Sequence, residues 1–148
     1  MELRSVEELM DLLYACRGTR AATGPGAPVD LHQHALRTAA LLRRARPADK
    51  ELQVAGLVAA IGPLLRPGDA ARHPHCAADA VRPLLGARVA RLVRGHGTAG
   101  DGADDDLLRL RLAGEEGRDA PFDAGVLEDW RTVLELVASR NSPLRAVD

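Results

Sequence analysis

Apolar residues recur along most of this chain at spacings of three and four, the period of an amphipathic helix. Val6, Leu9, Met10 and Leu13 form the first such run. It follows "SVEE" at 5–8, a capping box in which Ser5 accepts from first-turn N–H groups and Glu8 reaches back. This pattern predicts a helix ending near Cys16. "GTRAATGPGAP" (18–28) is rich in Gly and Pro and predicts a mobile connector. Asp30 is placed to cap a second helix over 31–45, which Pro47 ends. Asp49 opens a third helix, which carries "ELQVAGLVAA" into a break expected at Gly62-Pro63. "RPGDAARHPH" (66–75) predicts a loop, and Pro74 suits the first turn of a helix striped by Ala77, Ala80, Val81 and Leu84. Gly86 separates that helix from a fifth, whose Val89, Leu92 and Val93 face inward.

A polar loop at 97–106 leads to a short helix around 105–113. The last helix, about 124–139, is expected to be capped by Asp123 and striped by Val126, Trp130, Val133, Leu134 and Val137. No segment alternates as a strand does, and no internal repeat is present. The pattern predicts an all-α, single-domain bundle of about seven helices over 1–148, with a core at 27–139 and a tail at 140–148.

Composition narrows the function classes. Aromatic residues make up only 2% of the chain (Tyr14, Phe122 and Trp130), so the core must be built from Leu, Val and Ala. That choice suits helices better than sheets. The 20 basic and 21 acidic residues leave a net charge of −1, which argues against a dedicated nucleic-acid binder. Lys50 is the only lysine; with the abundant Ala and Gly, this reflects GC-rich coding bias before any functional choice. Cys16 and Cys76 are isolated, without CxxC spacing, and are expected as reduced thiols in a cytoplasmic protein. "MELRSVEELM" lacks the layout of a signal peptide, and no apolar run approaches the ~20 residues that cross a bilayer.

Candidate chemistry centres on the histidines. Of His32, His34, His73, His75 and His96, three fall on inward stripes. His34 shares a face with Leu31, Thr38 and Leu41, His73 extends the Ala77 stripe backwards, and His96 continues the Val89 stripe. On spacing alone the simpler account is three separate, hydrogen-bonded core or helix-end histidines, because distant helices need not converge.

Four blocks, "VDLHQHALRTAALL", "AGLVAAIGPLL", "RHPHCAADAVRPLLGARVARLVRGH" and "DAGVLEDWR", resemble in order those of HD-domain proteins. The likeness is to the branch containing the phosphonate-cleaving diiron oxygenase and myo-inositol oxygenase, and it covers about residues 27–139. The resemblance implies an HD-like bundle and sets His34, preceded by Gln33, and later His73 and His96 at the family's metal-binding histidines. It sets the His-Asp pair at Ala59 and Ala60, a further histidine at Pro63, and the final aspartate at Arg131 after Trp130. The lysine that holds substrate phosphonate falls on Gly100. Both anionic ligands are therefore replaced, and neutral imidazoles alone do not offset the charge of two iron ions.

These positions imply no metal and no cofactor, and a pocket whose apolar Ala-Ala wall and Arg131 suit a small anionic or enolisable ligand. Gln33 and Trp130 are expected beside that ligand. The leading functional expectation is a metal-independent acid–base enzyme of specialised metabolism, with His34, His73 and His96 moving protons in a cyclisation, isomerisation or elimination. A non-catalytic ligand-binding or regulatory module is the alternative, and a mononuclear metal hydrolase on the same three histidines a third.

Overall fold

Ser5 begins the first helix, α1 (Val6–Ala15), its hydroxyl accepting from the Glu8 N–H at 3.2 Å. The Glu8 carboxylate reaches back to accept from the Arg4 N–H. The computed structural model describes residues 2–21, 28–66, 68, 70–96, 104–119 and 122–141, with backbone alone at 21, 70, 96 and 119. Beyond α1 the chain forms a two-residue ladder, β1 (Arg20–Ala21) antiparallel to β2 (Val29–Asp30), with Arg20 opposite Asp30. Both flanks of the expected connector are thus paired; residues 22–27 lie outside the described ones.

Asp30 has two roles. Its carboxylate caps α2 (Leu31–Ala45) through the Gln33 N–H and also accepts from the Gly18 N–H at 2.6 Å. Asp49 caps α3 (Lys50–Val58) through the Leu52 N–H. The helix then stops at Ala59-Ala60, two residues before the expected break, and α4 (Ile61–Leu65) starts afresh. Pro63 sits in the first turn of α4, where its missing N–H has no intrahelical partner to lose. Part of the expected 66–75 loop is helical as well: a 3-10 turn covers Ala70–Arg72, and α5 (His73–Leu85) already includes His73. Gly86, at φ +98°, ends α5 in a backbone conformation that glycine adopts without penalty, and α6 (Ala87–His96) follows.

Two expectations of extent are corrected. α7 runs over Asp105–Asp119, past 113 and through Gly114 and Gly117. Asp123 caps no helix; it accepts from the Gly125 N–H in a turn. A 3-10 turn at Leu127–Trp130 then leads into α8 (Arg131–Arg140), and the Asp129 carboxylate accepts from the Val126 N–H.

The architecture is an all-α single-domain bundle, with seven helices of nine or more residues plus the short α4 among the described residues. α2 packs on α3 and α7, α3 on α6, α5 on α4 and α6, and α1 on α8. One continuous apolar core, mostly Leu, Val and Ala, joins them. The apolar residues expected inward on α5 and α6, Ala77, Ala80, Val81, Leu84, Val89, Leu92 and Val93, are buried, whereas His73 is only half-buried. On the last stripe Trp130, Leu134 and Val137 are buried, Val133 is partly buried and Val126 is exposed. No described helix is long and apolar enough to cross a membrane.

Candidate functional site

Three of the five histidines meet backbone. His34, half-buried on α2, hydrogen-bonds through Nε2 to the Gly114 carbonyl of α7 at 2.8 Å. His73, at the start of α5, does the same to the Arg66 carbonyl at the end of α4, also at 2.8 Å. His32 is buried, pairs through Nδ1 with the Leu13 carbonyl of α1 at 3.0 Å, and stacks on Tyr14. A carbonyl only accepts, so in each pair the ring nitrogen is the donor, which fixes the tautomer when the ring is neutral. Each of these rings ties its helix to a neighbouring segment. His34 and His73 are directed at different elements, α7 and the end of α4. His96 closes α6; its side chain, and Gly100, lie outside the described residues.

The expected ligand-binding residues Arg131, Trp130 and Gln33 have three different surroundings. Arg131 is an anchor at the surface: its guanidinium pairs with Glu7 of α1 and with Glu128. The Glu128 carboxylate, held below its usual range by Arg131, also faces the Tyr14 hydroxyl. A cation neutralised by two carboxylates is not available to a ligand in the way expected. Trp130 is fully buried in the core, and the Arg43 guanidinium lies 4.9 Å from its ring centroid. It has no surface open to a ligand. Gln33 is exposed in the first turn of α2.

The positions at which the resemblance sets the family's remaining metal ligands supply no anionic donor. Ala59, Ala60 and Pro63 carry no donor, and Arg131 repels a cation. Among the described residues no three His, Cys, Asp or Glu side chains lie close enough to hold a metal ion. Cys16 is fully buried, and that burial, aided by nearby Asp30, pushes its thiol up to about 11.

A different site lies where helix ends meet. An open cleft of about 510 Å³ is lined by Ala45, Arg46, Pro47, Ala48, Asp49, Lys50, Glu51, Arg88 and Arg140. Arg88, in the first turn of α6, grips both oxygens of Asp49 at 2.8 and 2.9 Å. It also reaches Glu51 and, on α7, Asp106, each at 3.1 Å. One guanidinium thus joins the N-terminal ends of α3, α6 and α7. Its hydrogen bonds hold the Asp49 carboxyl below the usual carboxylate range, and Asp49 in turn raises Arg88. Arg46 turns away to Asp105 and Asp106. Beneath the cleft, fully buried Gln53 donates Nε2 to the carbonyls of Arg46 (2.8 Å) and Pro47 (3.2 Å), fixing the α2–α3 turn.

None of this cleft was among the expected site residues. Its trace in the sequence is the charge-dense turn "RRARPADKE" (43–51), which reads first as a helix stop and start. Arg88 and Arg140 join it only through the fold. No protein-family model matches this chain, and no curated protein matches it.

Proposed function

We propose that this protein is a non-catalytic ligand-binding or regulatory module on an HD-like helical frame, in which the histidines hold helices together. The observation that supports it is the docking of His34 and His73, each with Nε2 on a backbone carbonyl of a different element. The resemblance in block order supports the HD-like frame, and the replaced carboxylate ligands support a function without the family's metal chemistry. The acid–base enzyme has less support. It needs His34 and His73 to present ring nitrogens to one ligand, and Arg131 to offer a free cation, whereas these groups are committed to intramolecular partners.

Metal analysis combined with His34→Ala tests the reading. The expected result is protein purified without chelators that carries no stoichiometric metal, and a variant less stable by about 1–2 kcal/mol in chemical denaturation, as for losing a partly buried hydrogen bond. Near-stoichiometric iron, zinc or manganese that disappears in His34→Ala overturns it.

A further inference from the structure

The cleft at the helix ends carries an inference about ligand chemistry. We propose that it binds a small, multiply charged anion, of the pyrophosphate or sugar-bisphosphate kind, held between Lys50 of α3 and Arg140 of α8.

Charge accounting at the cleft supports this. Four cations line it, and its two lining carboxylates, Asp49 and Glu51, are both taken by Arg88. Arg46 is taken by α7. Among the described residues Lys50 donates to the Pro47 carbonyl, at 3.0 Å. Among the described residues neither Lys50 nor Arg140 has a carboxylate within 4.0 Å. These two cations, without a carboxylate partner among the described residues, stand on different helices, and a ligand with two anionic groups engages both.

The position of Lys50 adds an independent argument. Arg140 in the last turn of α8 is favoured by the helix dipole, but Lys50 is the first residue of α3, where the dipole disfavours a cation. The only lysine of the chain thus sits at a locally unfavourable place on the wall of a cleft.

Size and lining narrow the class. A cleft of about 510 Å³ exceeds what a single ion fills and matches a small metabolite. Ala45, Pro47 and Ala48 are its apolar surfaces, and no aromatic ring lines it, so a nucleobase finds nothing to stack on. Gln53 pins the turn that carries Lys50, which limits the ordering cost of binding.

The inference rests on the ligand-binding reading above for its purpose, but not on the histidines. Calorimetric titration of pyrophosphate into the full chain at low ionic strength tests it, with Lys50→Ala, Arg140→Ala and the double variant. The expected result is saturable one-to-one binding that weakens about tenfold or more in each single variant and also weakens with added salt. Lys50→Arg retains it. Both side chains reach the surface, and unchanged circular dichroism confirms the fold of each variant. Absence of saturable binding, or affinity that survives in the double variant, overturns the proposal. Metal bound through His34 defeats the ligand-binding reading instead, whatever the cleft variants do.

Discussion

Gly62 shows what one missing side chain does here. A Cβ at this position would lie 2.5 Å from the His73 carbonyl oxygen and 2.9 Å from the His73 Cβ, so the start of α5 rests directly on α4 at this point. The glycine is required by close approach, and the backbone contact cannot yield as a flexible side chain would. Gly114, also helical, has open space around its would-be Cβ. Gly62→Ala should therefore cost about 2–3 kcal/mol, within the range for overpacking, while Gly114→Ala should be neutral or stabilise by up to about 1 kcal/mol. Urea denaturation of both variants checks this, and similar stabilities for the two would refute the close packing of α4 on α5. In the sequence the Gly-Pro pair reads as a helix break, because a glycine that stops a helix and one that admits a neighbour look alike before the neighbour is known.

Elements in this bundle are joined at their ends by charge and along their faces by small residues. α7 illustrates the second: its apolar pattern weakens after 113, yet the helix continues because Gly117 lets α2 approach, its would-be Cβ lying 3.0 Å from the Thr38 hydroxyl oxygen. Periodicity registers apolar side chains and is blind to a contact made by leaving one out. Arg88 illustrates the first, serving three helices with one guanidinium. Arg88→Ala should destabilise by about 1–2 kcal/mol, more than an isolated surface pair, because a bidentate contact and a network are lost together. The effect has a pH signature. Asp49 is depressed in the folded state, so its contribution is complete above the unfolded carboxylate value of about 4 and is lost as pH falls through the lower folded value. Denaturation midpoints between pH 6 and pH 3 should drop more steeply in the parent than in Arg88→Ala, and parallel curves would show that Asp49 is not held by Arg88.

At the scale of the whole molecule, helix number, most boundaries and the Leu-Val-Ala core follow from local periodicity and caps, which need no knowledge of what packs where. The site was far less legible. The helical pattern places His34 on α2 but leaves His73 in an expected loop, and whether a ring ends on a carbonyl or faces a shared cavity depends on the neighbouring helix. Arg131 is the clearest case, since its place between Leu127 and Leu134 fits a semi-buried head as well as it fits the observed reach to Glu7. That reach joins α1 to the turn that begins α8, so it ties the first helix to the last. A double-mutant cycle on Glu7→Ala and Arg131→Ala should return a coupling of about 0.5–1 kcal/mol, as expected for a partly exposed pair. Pyrophosphate affinity should remain within about twofold in Arg131→Ala, because the ion pair takes no part in the cleft at the other helix ends. If instead the cycle shows no coupling and ligand affinity falls about tenfold, Arg131 is the anion holder expected from the sequence. The helix-end cleft then loses its claim to be the binding site.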